Sequence, residues 1–195
     1  MCVTEIRFVQ SLTDTLETRV VDVEAASHGC CYHNDKNPVR SMPKTLIRHA
    51  VSADFESLLE IDQASFPGGV SYDATELAYF MDREGAETIV LEVDKTIVAF
   101  LIMEVLRNRR RATVVTLDVD ERHRRNGYGS QLLKRSEQTL ADYGVEIYDL
   151  QVDVTNRAAI IFYKKHGFEN VRVLPNYYAN GHDAYLMVKE LGLPT

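Results

Sequence analysis

A chain of 195 residues, 45% apolar and 26% charged, has enough material for one domain with a buried core, and no apolar run approaches the ~18 residues of a membrane span. The formal net charge of −7 argues against nucleic acid as the main partner, because phosphate binding depends on clustered Lys and Arg. The first residues carry Glu5, Asp14 and Glu17 without the apolar stretch of a secretory signal, so a cytoplasmic address is expected.

All three cysteines, Cys2, Cys30 and Cys31, fall in the first 31 residues. An odd count with two adjacent is no disulfide framework. His28, Cys30, Cys31 and His33 are residue types that bind zinc, but their spacing matches no common zinc pattern; free thiols and no metal are expected. Residues 1–44 lack sustained periodicity and end in turn and breaker residues from His33 to Pro38. They are expected to be an extension, partly disordered or packed on the surface, with the folded domain over 45–195.

From Thr45 the punctuation becomes regular. Thr45–Ala50 reads as a short strand. Ser52 is expected to cap a helix running to Phe66, with Phe55, Leu58, Leu59 and Ile61 as its buried stripe. Asp73-Ala-Thr-Glu76 has the form of a capping box and opens a second helix, with Leu77, Phe80 and Met81 inward and Gly85 as the stop. Three β-rich runs follow: 88–93, 96–106 after an Asp94-Lys95 turn, and 112–119. The basic run Arg107-Asn-Arg-Arg-Arg111 between the last two reads as a solvated hairpin tip or a patch for an acidic partner. Then come a helix from Gly129 to Tyr143, a strand over 148–154, a helix opened by Asn156 and closed at Gly167, and strands over 168–174 and 184–189. The order β-α-α-β-β-β-α-β-α-β-β implies an α/β layer structure on a mixed sheet.

The most informative stretch runs from Leu117 to Ser130. A strand ends, a basic turn follows, and Gly127-Tyr128-Gly129 opens a helix. Glycines let backbone approach a bulky anion, and free N–H groups at a helix start point at it. Arg124 and Arg125 add positive charge. These features describe a diphosphate cradle. It lacks the third glycine of a dinucleotide site and the Gly-Lys-Ser/Thr of a P-loop.

Arg124-Arg-Asn-Gly127-Tyr-Gly129 resembles the Arg/Gln-x-x-Gly-x-Gly/Ala signature of the GNAT superfamily of N-acetyltransferases. Two further segments agree: Leu150-Gln-Val-Asp-Val-Thr-Asn156 continuing through Tyr163 to Gly167-Phe168, and Asn176-Tyr-Tyr178 followed by Gly181-x-Asp183-Ala. The latter is similar to enzymes that acetylate protein N-termini, including ribosomal-protein alanine acetyltransferases. The resemblance implies a mixed, mostly antiparallel twisted sheet of about seven strands, flanked by four helices and splayed between strands 4 and 5. It implies acetyl-CoA as co-substrate, with Leu117, Asp118 and Val119 along its pantetheine arm and the amides from Arg125 through Asn126, Gly127, Tyr128 and Gly129 to Ser130 on its diphosphate. Asn156 would bond the cofactor arm, cap its helix, or do both. Tyr163 would protonate the departing thiolate, and the Val119 N–H would stabilise the oxyanion.

One position departs from the pattern. Where the ribosomal-protein acetyltransferases carry a glutamate base, this chain has Gln151, and an amide has no useful basicity. Asp118, Asp153 and Glu104 are the nearby alternatives; strand alternation puts Asp153 on the face of Gln151. A peptide α-amine has a pKa near 7.7–8.0 and is partly neutral at cytoplasmic pH, whereas a lysine amine near 10.4 is not. The missing glutamate therefore favours a protein or peptide N-terminus as acceptor. Tyr177 and Tyr178, with Phe66 opposite, could wall its groove or pack on the sheet. A small amine acceptor, or a coenzyme-binding module without catalysis, are the competing readings; the sequence does not decide the oligomeric state.

Overall fold

The structure, a computed structural model, describes residues 44–65, 71–178 and 180–192. The expectations placed on residues 1–43, including His28, Cys30, Cys31 and His33, and on Phe66 lie outside these residues. The described elements are strands β1 (Thr45–His49), β2 (Ala86–Val93), β3 (Thr96–Leu106), β4 (Arg111–Val119), β5 (Ile147–Asp153), β6 (Glu169–Leu174) and β7 (Ala184–Glu190), with helices α1 (Phe55–Ser65), α2 (Ala74–Asp82), α3 (Tyr128–Asp142) and α4 (Arg157–Lys165).

The strands form one sheet in the order β1-β2-β3-β4-β5-β7-β6. Asp94 and Lys95, both left-handed at φ 48° and 70°, make the two-residue turn that suits the twist of the β2–β3 hairpin. All neighbours are antiparallel except β4 and β5, whose parallel pairing covers only Arg111↔Ile147, Ala112↔Tyr148 and Thr113↔Asp149. Beyond those pairs β4 stays with β3 as far as Val119, and β5 stays with β7 as far as Asp153. The sheet is therefore splayed between β4 and β5, and both strands end beside the gap.

Each face of the sheet has its own core. Leu132, Leu133 and Leu140 of α3 and Ala159 and Tyr163 of α4 pack with Leu117, Leu150 and Val152 on one side. Leu58 and Ile61 of α1 and Leu77 and Phe80 of α2 pack with Phe100, Ile102 and Val115 on the other. Leu150 and Val152 point to α3 and α4, so Gln151 and Asp153 point to the α1 side, as does Asp118 next to Leu117.

Two expectations need adjustment. Ser52 does not cap α1: residues Ser52–Asp54 make a 3-10 turn and the α-helix starts at Phe55. The cause is tertiary. The Asp54 carboxylate accepts from the Val51 N–H at 2.8 Å and from the Arg48 guanidinium at 2.6 and 2.9 Å, and Arg48 is itself held by Glu92 of β2. The basic tip is exposed at Arg107, Asn108, Arg109 and Arg110 but is only partly free of the protein. Arg107 stacks 3.8 Å over the Tyr143 ring, Arg110 pairs with Glu146 at 2.7 Å, and Arg111 pairs with Asp149. The α2 capping box forms as expected, with Asp73 accepting from Glu76 N–H at 2.8 Å and Glu76 from Asp73 N–H at 3.0 Å. Among the described residues no helix is long and apolar enough to cross a membrane.

Candidate active site

The turn between β4 and α3 is shaped by its backbone. Arg125 and Gly127 are left-handed at φ 63° and 78°, separated by one residue, and α3 begins immediately after. Successive N–H groups in such a turn converge into an anion-binding concavity, and those of the first helical turn have no acceptor within the helix. A Cβ built on Gly127 would meet nothing within 4 Å, so the space in front of the turn is open. The turn is braced from behind. Asn126 Nδ2 donates to the His123 carbonyl at 3.0 Å, and Tyr128 is buried in the α3–α4 core. Gly129 has a different reason to be glycine: its Cβ would lie 3.3 Å from Leu117 Cδ2 and 3.5 Å from Phe162 Cζ, so it lets β4, α3 and α4 converge. Ser130 is half-buried in the first helical turn.

The two arginines of the turn separate. Arg125 is exposed, whereas Arg124 is half-buried, with Nε donating to the Val119 carbonyl at 3.2 Å and Nη2 reaching Ser65 Oγ at 3.5 Å. Arg124 thus ties the end of β4 to the end of α1.

On the far side of the gap, Asn156 caps α4 by accepting from the Ala159 N–H at 3.1 Å. One face of α4 then presents Tyr163, only 1% exposed, between Phe162 and Phe168 with ring centroids 5.2 and 5.5 Å away. Burial pushes its phenol well above the ordinary value, and Tyr148, Asp118 and Tyr178 add to the effect. The shift favours the protonated phenol.

The α1 side of the gap is lined with polar groups. Asp118 is buried and accepts from Thr116 Oγ1 at 2.7 Å. Burial pushes its carboxyl well above the usual range, the nearby Asp62 pushes it further, and Thr116 and Arg124 oppose the shift. Asp62, on the core face of α1, accepts from the Tyr72 N–H at 2.7 Å. Gln151 Oε1 accepts from the Tyr177 hydroxyl at 3.2 Å, and Tyr177 packs edge-on against the buried Tyr178 at 5.1 Å. Two residues along, Asp153 Oδ2 meets His182 Nδ1 at 2.7 Å, while its Oδ1 accepts from the Thr155 N–H at 2.7 Å and Oγ1 at 2.6 Å. Burial works against the Asp153 carboxylate, but the Thr155 and His182 bonds hold it below the usual range. The third alternative base, Glu104, is taken by Arg83.

Val119 ends β4 and Gln151 lies on β5, the two strands that border the gap; Gly127 follows β4, Tyr163 sits on α4 in the core on one face of the sheet, and Tyr177 is bonded to Gln151 on the other. Sequence reasoning missed Asp62, Ser65 and His182. Asp62 and Ser65 looked like ordinary polar positions on α1. His182 was visible only as the unspecified position of Gly181-x-Asp183. Among the described residues no group of three or more His, Cys, Asp or Glu side chains could hold a metal ion.

Comparison with known proteins agrees with this geometry. A sequence model of the acetyltransferase (GNAT) family matches residues 55–168. An N-alpha-acetyltransferase of Sulfurisphaera tokodaii is 33% identical over 160 residues, covering 74% of this chain and 92% of the relative. The crystal structure of the ribosomal-protein-S18-alanine N-acetyltransferase from Escherichia coli superposes with a TM-score of 0.70 at 25% identity, covering 78% of this chain and 97% of that one. That of Ard1 from Thermoplasma volcanium gives 0.69 at 30% identity, covering 76% and 98%.

Proposed function

This chain belongs to the GNAT family of acetyltransferases and is an acetyl-CoA-dependent N-acetyltransferase; we propose that its acceptor is the α-amine of a protein or peptide N-terminus. The observation that carries the proposal is Gln151, which points to the α1 side of β5 and accepts a hydrogen bond from the Tyr177 hydroxyl. A neutral amide suits an amine that already sheds its proton near neutrality, and does little for a lysine amine. The similarity to archaeal N-alpha-acetyltransferases over three-quarters of the chain supports the same acceptor. It also supports 45–195 as the catalytic unit, with 1–44 as an extension outside it.

The open, left-handed turn at Arg125–Gly127 fits the coenzyme's diphosphate, which would be held by the amides from Arg125 to Ser130. The exposed Arg125 would add charge, while Arg124 would position the turn by holding Val119 and Ser65. Backbone at Leu117 and Val119, free of β5 beyond the splay, would pair with the pantetheine arm as an added strand does. Asn156 would serve that arm from its place at the α4 cap. When bound, acetyl-CoA supplies an activated thioester acyl group. The Val119 N–H would stabilise negative charge growing on the acyl oxygen, and the Tyr163 hydroxyl would hold the proton that the leaving sulfur takes up. Tyr177 and Tyr178 would wall the acceptor.

The test is release of coenzyme A thiol with matched peptides offering either a free α-amine or a free ε-amine. Faster turnover of the α-amine peptide is expected. A preference for the ε-amine would overturn the assignment.

A further inference from the structure

Loss of the strand-borne glutamate leaves the acceptor's proton without an evident destination. An α-ammonium must lose a proton before its nitrogen can attack, and Gln151 cannot take it. The group placed to do so comes from another element. The connection between β6 and β7 folds over the α1 side of β5 and is fastened there twice, by Tyr177 to Gln151 and by His182 to Asp153. Gln151 and Asp153 alternate onto the same face, so the imidazole stands one side-chain position beyond Gln151, at the end of β5 and past its last pair with β4 at Asp149.

The details suit proton transfer. Asp153 is fixed from behind by the Thr155 N–H and hydroxyl, leaving Oδ2 for His182 at 2.7 Å. A carboxylate at Nδ1 selects the tautomer with the proton there and leaves the lone pair on Nε2. The His182 side chain is half exposed, at 50%, so a proton accepted at Nε2 can leave to solvent. Its backbone is set by the Tyr178 N–H, which donates to the His182 carbonyl at 3.1 Å, and by Asn180, which accepts from the His182 N–H at 3.0 Å. Asp183 beside it turns its carboxylate to the Asn176 N–H at 2.8 Å, and the Tyr177 and Tyr178 phenols lie on the same connection.

We propose that His182, oriented by Asp153, accepts the proton that the acceptor ammonium loses, directly or through one water. The N–H bond of the ammonium breaks, a new N–H bond forms at Nε2, and the imidazolium passes its proton to bulk water. The proposal rests on the α-amine reading above and supplies the base which that reading lacks.

The test is kcat/KM against pH, from 6 to 9, for the wild type, His182→Gln and Asp153→Asn, with an α-amine peptide and with a small primary amine. With an amine pKa near 7.8, roughly one acceptor in 20 is neutral at pH 6.5, so the loss in His182→Gln is at most about 20-fold there and vanishes by pH 8.5. Asp153→Asn is expected to lose in the same direction, and coenzyme affinity is expected to stay unchanged in both. A His182→Gln profile that matches the wild type refutes the proposal. So does a loss of equal size at every pH, because a residue that only holds the loop would behave that way. If the enzyme turns over the small amine but rejects the peptide, the α-amine reading fails. The profile with the small amine then still judges His182.

Discussion

Replacement of Gly127 separates the two demands this position meets. The residue sits at φ 78°, a conformation that costs an L-residue about 1–2 kcal/mol. A Cβ there meets no atom within 4 Å, so no steric penalty is added. Gly127→Ala should therefore remain folded, with a melting midpoint lower by roughly 2–8 °C, and Gly127→Asn should lose less because Asn tolerates this region. Gly127→Glu carries the same strain plus a carboxylate facing the open space. At about 5 Å and an effective dielectric of ~20, each like charge costs about 3 kcal/mol, so the diphosphate should bind at least ~100-fold more weakly. Calorimetry with coenzyme A, alongside melting curves for all three variants, measures both effects. Two results would refute the reasoning: Gly127→Glu binding the coenzyme as tightly as wild type, or Gly127→Ala losing as much affinity as Gly127→Glu. The first would place the diphosphate elsewhere, and the second would make shape rather than charge the cause.

Tyr163→Phe should lower kcat by roughly 100-fold with coenzyme affinity nearly unchanged, and steady-state kinetics with calorimetry would show it; an unchanged kcat removes Tyr163 from the chemistry. Asp118 has a folded-state pKa above its unfolded value, so the folded protein holds the extra proton and loses stability as pH rises from the unfolded value toward the folded one. Asp118→Asn should therefore raise the melting midpoint more at pH 8 than at pH 4, and equal shifts at both would contradict this. Gln151→Glu restores a carboxylate beside Tyr177 and should speed ε-amine acetylation more than α-amine acetylation, measured as the ratio of the two rates.

The chain order of elements was legible because each depends on near neighbours. The α2 capping box spans three residues, the Asp94-Lys95 turn two, and both formed as their residues dictate. The start of α1 was misread for the opposite reason: Asp54 answers to Arg48 of β1, which Glu92 of β2 holds in place, and no capping rule sees that pairing. The basic tip is exposed as expected over Arg107–Arg110, but the partners of Arg107, Arg110 and Arg111, which are Tyr143, Glu146 and Asp149, lie beyond α3 and were not legible from neighbouring residues.

The sequence by itself determined the turn before α3, because a glycine followed by a helix start is a property of consecutive residues and leaves the first amide N–H groups of the helix unpaired within it. It also shows an amide, Gln151, and not a carboxylate at that point of β5. Only the tertiary structure decided what surrounds that amide. The short β4–β5 pairing opens the gap, Arg124 reaches Ser65 across 59 residues of chain, and His182 reaches Asp153 across 29. Side chains so far apart in sequence meet only when strand order and register are fixed, and those follow from how the two cores pack on the sheet.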